Sequence, residues 1–502
     1  MDNADTALNA WILSWVAHQL AVAPLHLFDA NIFYPEPRTL AFSEHMVVQG
    51  VMSVPLFALG LSAVAVYNVI LLAGFTLSGF AMALVVERWT GSRGAGIVAG
   101  LAYAFNAHVF VRFGHMQAMH VEFLPFALLA LHNVMERPAW RWAGLLAAAC
   151  ALQALTSNYL LVMTIIAMVA TAVVAPTAWV GPGAGRRWVM VAAAAAVCGL
   201  VLLPFLLPYY HAKMAQGLMR TYDEVAHYSA QWRDYVATGG RLHYALWSHL
   251  IFEGSNPLFP GFTVFGLSIY ALASRATWQE PRFRGMVAIG AAGMLLSFGP
   301  TVPGYHWLYD HVTLLQGIRA ISRLGWLWLV ALAVLAGAGL GRLQLRFPAH
   351  ATALAVAAGV LVSVEATRAP MSLTRFGGIP TIYRHVAALG DAVLVEIPFP
   401  NASTIQINGP YVLASSTHFK PMLNGYSGFI PNSYFVNAAV ADRLPSADAV
   451  RELGYLGATH LVVHGAGVSP DTVPQLESTG RVRLVAREGD DRLYVILGDD
   501  AR

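Results

Sequence analysis

The chain has 502 residues, of which 57% are hydrophobic and only 11% are charged, and its formal net charge is +3. Soluble domains carry roughly 25% charged residues, so this composition excludes an ordinary soluble protein and indicates a polytopic membrane protein. The net charge is small and the basic residues are scattered, which gives no indication of nucleic-acid binding.

Two residue types add to this picture. Among the 30 basic residues only Lys213 and Lys420 are lysines, a bias typical of a GC-rich, bacterial genome. The two cysteines, Cys150 and Cys198, fall inside apolar runs. Their positions are typical of small core residues and predict neither a disulfide framework nor a metal site.

The first 45 residues mix acids, histidines and tryptophans with apolar residues, and no part of them is apolar enough to cross a bilayer. Residues 1–10 lack the basic and apolar regions of a signal peptide. The stretch 46–61 is apolar but interrupted by Pro55 and Gly60, which favours an interfacial or re-entrant helix. We therefore expect residues 1–61 to form an external amphipathic segment that covers a site.

Ten hydrophobic runs follow, and each predicts a transmembrane helix. They lie at 62–86, 94–111, 121–135, 139–157, 159–179, 187–207, 260–274, 285–301, 322–341 and 349–367. Arginine-rich loops alternate with loops poorer in arginine, and the positive-inside rule places the former in the cytoplasm. These loops are 87–93, 136–142, 180–187, 275–284 and 342–346. The sequence thus predicts a helical bundle over 62–367 in the bacterial inner membrane, with both termini outside.

This topology requires residues 1–61 to cross the membrane without a preceding signal. The simplest explanation is a transmembrane helix missing ahead of Met1, lost through a start site that is placed too late. The alternative is translocation of a short N-terminal tail, driven by the first span.

Residues 368–502 have a different pattern, because short alternations replace the long apolar runs. Strands are predicted at 392–399, 459–464, 482–487 and 493–498, and helices at 380–389, 434–443 and 446–455. We expect a small α/β domain on the outer, periplasmic face of the membrane.

Polar residues accumulate near the predicted outer ends of the spans. Arg319 and Arg323 are four residues apart, so on a helix they would share one face and could clamp a phosphate, to which Lys213 could add a charge. A nearby carboxylate could take a proton from a hydroxyl nucleophile or hold a divalent cation. Any one of these residues could equally anchor a helix in the headgroup zone, so the accumulation on one side is the stronger indication.

The histidines do not predict a zinc site, because His115 and His120 lack the i, i+4 spacing of helical ligands. We therefore expect no metal-ligand cluster among these residues. A divalent cation as cofactor stays open, and the sequence indicates no organic cofactor.

Several segments resemble GT-C type bacterial membrane glycosyltransferases, nearest to the RgtA/B/C/D-like or YfhO-like group. The resemblance covers nearly the whole chain, although no single motif is diagnostic. It rests on Asp5–Trp15, Pro24–Pro35, Ser43–His45, Thr90–Arg93, His115–Gln117, Leu258–Gly261, Gly317–Arg323 and Ser416–Gly428.

The resemblance implies an inverting transfer of a sugar from a polyprenyl-phosphate donor to an extracytoplasmic glycan, lipid or protein acceptor. It makes Asp5, in the first external loop, the candidate catalytic base, with Asp2 in reserve. A second acidic residue, expected in the next external loop, is in doubt, since that loop offers only His115, Gln117 and, later, Glu122. The substrate-binding candidates are Glu44, His45, His115, Gln117, Lys213, Arg319 and Arg323.

The run from Ser415 to Ser427 is rich in hydroxyl and amide groups and contains Lys420 and Tyr426. It could shape an acceptor site, or it could be loop chemistry in which Asn424-Gly425 forms a tight turn. We favour the turn by a small margin.

Two other functions remain open. A transporter or flippase for a lipid-linked saccharide predicts polar residues through the bilayer and internal two-fold symmetry, but the charges crowd one face and no repeat is visible. A non-catalytic envelope assembly protein is consistent with the missing first helix and the absent second acid.

Overall fold

The computed structural model describes residues 4–252 and 256–498, and most of these residues are helical. The α-helices of this part of the chain are, in order, Ala4–Val22 (α1), Val47–Ala58 (α2), Ala63–Thr90 (α3), Arg93–Ala104 (α4), Ala107–Phe110 (α5), Phe123–Glu136 (α6), Trp140–Thr156 (α7), Asn158–Val173 (α8), Pro176–Val180 (α9), Ala184–Gln216 (α10), Tyr222–His227 (α11), Arg241–Leu246 (α12), Phe262–Leu272 (α13), Arg275–Gln279 (α14), Pro281–Ser297 (α15), Tyr305–His311 (α16), Trp326–Arg346 (α17), Ala351–Ala366 (α18), Ile382–Ala387 (α19), Gly409–Ala414 (α20), Asn432–Ala441 (α21), Ala447–Tyr455 (α22) and Thr472–Ser478 (α23). Short 3₁₀ helices connect them at Pro24–His26, Thr39–Phe42, Met116–Met119, Trp232–Tyr235, Ser248–Leu250, Gly299–Thr301, Leu315–Gly317, Ile321–Gly325, Pro348–His350, Ala402–Asn408, Ser415–Thr417 and Gly465–Gly467.

Each of the ten hydrophobic runs overlaps an α-helix. By length and composition, four helical segments of the described chain could cross a bilayer: α3, α10, Ile321–Arg346, which contains α17, and Pro348–Ala366, which contains α18. The chain is therefore a multi-pass membrane protein. The number of spans and the side on which each loop lies stay predictions.

The chain divides into two compact units. Unit 1 comprises Met1–Ile70, Leu206–Leu218 and Leu373–Arg502, and unit 2 comprises Leu71–Phe205 and Met219–Ser372. The N-terminal segment and the C-terminal segment, which are far apart in sequence, thus belong to one unit.

The core of unit 2 is built around α17, in which 15 residues from Trp326 to Gly341 are buried. Small residues allow its helices to approach closely. Gly96 and Gly100 of α4 lie against backbone carbonyls of α3, those of Ala83 and Gly79, so that a Cβ atom at either glycine would collide with α3. This packing is typical of membrane helices, which associate through small residues rather than through exclusion of water.

Unit 1 contains a four-stranded sheet whose order is β1-β2-β4-β3. The strands are Leu394–Ile397 (β1), His460–His464 (β2), Val482–Glu488 (β3) and Asp491–Ile496 (β4). β1 and β2 are parallel, with Leu394 opposite His460, whereas β4 is antiparallel to both β2 and β3. The four strands predicted in the C-terminal segment are thus present, each within a few residues of its expected position.

An extended segment, residues 421–425, forms backbone hydrogen bonds along the edge of β1. The N–H of Leu394 donates to the carbonyl of Pro421, and the N–H of Leu423 donates to the carbonyl of Leu394. On its other side the same segment pairs with the N-terminal chain, because the N–H of Phe33 donates to the carbonyl of Asn424. The N-terminal segment is therefore bound to the sheet by backbone hydrogen bonds.

The tight turn expected at Asn424-Gly425 is wrong, since both residues lie in this extended segment. The Asn424 side chain is buried and accepts from the N–H of Glu396 at 2.8 Å, while its Nδ2 donates to the Glu396 carbonyl at 3.1 Å. Gly425 is required by close approach, because a Cβ there would lie 2.5 Å from the Phe33 ring. The Asn-Gly pair thus serves packing rather than chain reversal.

We predict that Gly425→Ala destabilises unit 1 by about 1–3 kcal/mol, because the added methyl group overpacks against Phe33. The measurement is the thermal unfolding midpoint of the purified protein in detergent. Gly390→Ala is the matched control, since Gly390 is exposed and a Cβ there meets nothing within 4 Å. Equal midpoints for the two variants would contradict the packing role of Gly425.

Candidate anion site and candidate base

A small cavity of about 40 Å³ in unit 2 brings two arginines, a histidine and a glutamine together. Arg112, His115, Gln117 and Arg323 line it, together with the ring of Trp326 at the start of α17. We call it the arginine cavity. Its lining comes from three stretches of sequence, namely α5 with the chain after it, the start of α8, and the turn before α17 with the first residue of that helix.

Tyr159, in the first turn of α8, organises the turn before α17. Its hydroxyl accepts the backbone N–H groups of Arg319 and Ala320 at 3.1 and 3.2 Å. The guanidinium of Arg323 lies over the Tyr159 ring, 4.7 Å from its centroid. One tyrosine therefore fixes the backbone of this turn and supports the side chain of Arg323 by a cation–π contact.

Asn256 connects the chain after α5 with the turn before α17. Its Oδ1 accepts from Arg112 Nη2 at 2.7 Å and from the hydroxyl of Ser322, the neighbour of Arg323, at 3.1 Å. The amide thus holds Arg112 beside the turn before α17 without neutralising its charge.

The charge of the arginine cavity is not compensated by acids. None of the side chains that line it in the described chain is a carboxylate, and neither Arg112 nor Arg323 forms an ion pair with a described residue. The Nε groups of both arginines are buried without a hydrogen-bond partner among the described residues. Buried cationic donors of this kind are costly unless an anion binds them, so the geometry fits a phosphate.

The electrostatics of neighbouring groups agree with this excess of positive charge. Burial, and then the charge of Arg323, lower the pKa of Arg112 to about 9, so its guanidinium remains protonated at neutral pH. Burial and the charges of Arg323 and Arg112 hold the pKa of His115 well below its ordinary value. His115 is therefore a neutral imidazole in this cavity at neutral pH.

The prediction that Arg319 and Arg323 share one helical face is wrong. Arg323 lies in the 3₁₀ helix Ile321–Gly325, but Arg319 lies in a bend before it. The guanidinium of Arg319 packs over the ring of Tyr228, 5.0 Å from its centroid. Tyr159 binds the backbone N–H of Arg319 and lies under the guanidinium of Arg323, so both arginines pack around the same tyrosine.

Glu122, the possible second acid of the sequence analysis, is buried in a network of hydrogen bonds. Its carboxylate lies 3.1 Å from Nδ1 of His120 and accepts from the hydroxyl of Ser78 at 3.3 Å. The carbonyl of His120 accepts from Nε2 of Gln153 at 3.0 Å. These bonds fix the chain that leaves the arginine cavity. Glu122 therefore has a positioning role and does not itself contact a substrate.

Asp5, the candidate base, belongs to unit 1 and lies in the first turn of α1. The hydroxyl of Tyr426 donates to Asp5 Oδ1 at 2.6 Å. Tyr426 follows the buried Asn424, whose side chain bonds to β1 and to Asn408. A rigid segment thus orients the Asp5 carboxylate.

The other candidates of unit 1 are Glu44, His45 and Lys213. His45 is buried, with its ring edge-on to Phe28 and to Tyr209, and burial lowers its pKa to about 4. Glu44, which precedes His45 in the sequence, is half-buried. Lys213 lies in the last turn of α10. The reserve acid Asp2 lies outside the described residues.

The structure thus brings His115, Gln117 and Arg323 into one cavity, with Arg319 adjacent, while Asp5, Glu44, His45 and Lys213 belong to unit 1. Four residues were missed as site members: Arg112, Tyr159, Asn256 and Trp326. Arg112 carried a usable signal, since it is a cation in the same polar loop as His115. In the described residues no group of three or more His, Cys, Asp and Glu side chains could hold a metal ion.

No family model and no curated protein matches this chain. Two crystal structures of ArnT from Cupriavidus metallidurans resemble it over nearly its whole length. The apo structure has 13% identity and a TM-score of 0.48, and covers 99% of this chain and 93% of its own. The structure bound to undecaprenyl phosphate has 14% identity and a TM-score of 0.44, and covers 97% and 96%.

At this identity, and with TM-scores below 0.5, neither similarity assigns a ligand, a catalytic residue or an activity to this chain.

Proposed function

We propose that this protein is a membrane glycosyltransferase that transfers a sugar from a polyprenyl-phosphate donor to an acceptor outside the cytoplasm, with inversion at the anomeric carbon. The observation that carries the proposal is the arginine cavity, where Arg112 and Arg323 present buried donors and no described lining residue is an acid. A phosphate satisfies such donors, and the GT-C resemblance supplies the donor class and the reaction.

In this proposal Arg112 and Arg323 bind the phosphate of the donor. When the bond between the anomeric carbon and the phosphate oxygen breaks, the electron pair stays on that oxygen and the lipid phosphate gains negative charge. Fixed guanidinium groups stabilise the developing charge without reorganising, which lowers the barrier. Neutral His115 and Gln117 also line the cavity and would orient the donor phosphate.

Asp5 is proposed as the general base. Its carboxylate takes the proton of the acceptor hydroxyl while that oxygen attacks the anomeric carbon from the side opposite to the phosphate. The attack from the opposite side accounts for the inversion. Tyr426 is a positioning residue in this scheme, since its hydroxyl donates to Asp5 and selects one orientation of the carboxylate.

The sidedness of the protein follows from the arginine distribution of its loops. We propose that residues 368–502 and the N-terminal segment lie on the periplasmic face of the inner membrane. Glu44, His45 and Lys213 of unit 1 are then candidates for contacts with the sugar or the acceptor.

Replacement of Arg112 or Arg323 by glutamine should weaken binding of a polyprenyl phosphate by about tenfold or more, because a charge-assisted hydrogen bond to the phosphate is lost. The measurement is the Kd of the purified protein in detergent for the polyprenyl phosphate, free of sugar. This readout does not depend on catalysis.

The matched control is Arg375→Gln, which removes the same charge from an exposed position. Its Kd should stay within about twofold of the wild-type value, since an exposed charge contributes little. Equal weakening in all three variants would contradict a built phosphate site in the arginine cavity.

Asp5→Asn should lower the rate of sugar transfer by about 10²–10⁴, because the amide cannot accept the proton of the acceptor. Tyr426→Phe should lower it by about tenfold through loss of one hydrogen bond to a carboxylate. The measurement is release of polyprenyl phosphate from polyprenyl-phosphate sugars, together with the unfolding midpoint of each variant.

The control is Asp391→Asn, at an exposed position of unit 1, which should transfer at the wild-type rate. In the Asp5→Asn background, Tyr426→Phe should have no further effect, because the tyrosine acts through that carboxylate. Full activity of Asp5→Asn would exclude Asp5 as the base, and additive losses would exclude the positioning role of Tyr426.

A further inference from the structure

A second and larger cavity of unit 2, of about 610 Å³, lies at the opposite end of α17 from the arginine cavity. Arg342 and Leu345 of α17 line it with Trp89 of α3, Tyr270 of α13, and Glu280 and Arg282 before and in α15. We call it the Arg342 cavity. Its volume falls within the usual range of small-molecule sites, roughly 300–1,000 Å³.

The two cavities are separated by the length of a membrane helix. Trp326 lines the arginine cavity and Arg342 lines the other, 16 residues further along α17, which corresponds to about 24 Å of helix. This distance is close to the roughly 30 Å thickness of the hydrocarbon core. The Arg342 cavity therefore opens at the other face of the apolar layer, among the arginine-rich loops predicted to be cytoplasmic.

The charge of this cavity is also unbalanced. Glu280 is paired with Arg282, whereas Arg342, which is half-buried, makes no hydrogen bond or ion pair with a described residue. One positive charge is thus left without a counterion in a cavity that contains a single carboxylate, itself neutralised.

Trp89 contributes an aromatic side chain to the lining of this cavity. The residue is 6% exposed, and its buried Nε1 has no hydrogen-bond partner among the described residues. Its ring packs edge-on against that of His132, with the centroids 5.9 Å apart, and forms an aromatic wall of the cavity.

We propose that the Arg342 cavity binds a phosphate-bearing ligand, with the phosphate against the guanidinium group of Arg342. Ala338, Phe283 and Leu345 add apolar surface to the lining. A basic pocket between helix ends at this face matches the headgroup of an anionic phospholipid, and a soluble phosphate compound offers the same chemistry. The site is separate from the proposed transferase site and does not depend on that activity.

The test uses the full-length protein in detergent, with bound lipid counted by native mass spectrometry during titration with phosphatidylglycerol. Arg342→Gln should weaken binding at the specific site by about fivefold, since one arginine is lost. The matched control is Arg346→Gln, an exposed arginine one turn further along α17 that does not line the cavity, and its binding should not change.

A second arm replaces the lipid with diacylglycerol, which lacks the phosphate and should not bind at this site, or with inorganic phosphate. Binding of phosphatidylglycerol that depends on Arg342 identifies a lipid as the source of the phosphate. Binding of inorganic phosphate that depends on Arg342, without specific lipid binding, identifies a soluble source. Equal losses in Arg342→Gln and Arg346→Gln, or no loss in Arg342→Gln with an unchanged unfolding midpoint, would overturn the proposal.

Discussion

The arrangement of unit 2 depends on two arginines held close together with buried Nε groups and without an acid beside them. Removing such groups from water costs several kcal/mol unless they are paired. Asn256 holds the pair by accepting hydrogen bonds from Arg112 and from Ser322, the neighbour of Arg323. Tyr159 supports the guanidinium of Arg323 and binds the backbone N–H of Arg319. The positive charge of this site is therefore balanced only when an anion binds there.

The scaffold behind the cavity explains how that geometry is kept. Glycines in α4 let it lie against the backbone of α3, and the buried α17 carries Trp326 at one end and Arg342 at the other. The His120–Glu122 pair holds the chain that leaves the arginine cavity. Rigid supports of this kind preserve a binding geometry that loops alone would lose.

Much of the fold could be predicted from the sequence, because hydrophobic length and strand alternation are local signals. The ten apolar runs overlap helices, and the four C-terminal strands lie near their expected positions. Contacts between distant segments could not be predicted in this way. The hydrogen bond between the Phe33 N–H and the Asn424 carbonyl is one example. It explains why Asn424-Gly425, a sequence typical of a tight turn, is extended in this protein.

The candidate site was predicted in part. His115, Gln117 and Arg323 were identified from their accumulation on one side, and the structure places them in one cavity. The shared helical face of Arg319 and Arg323 was wrong, because the turn before α17 is bent around Tyr159 rather than helical. Tyr159 and Asn256 act through geometry alone, so nothing in their local sequence distinguishes them from other polar residues.

The most direct test of the central claim is a structure of the full chain determined with a polyprenyl phosphate bound. We predict that the phosphate density lies in the arginine cavity, within hydrogen-bonding reach of the guanidinium groups of Arg112 and Arg323. A phosphate bound elsewhere, with these two arginines still unpaired in an empty cavity, would contradict it.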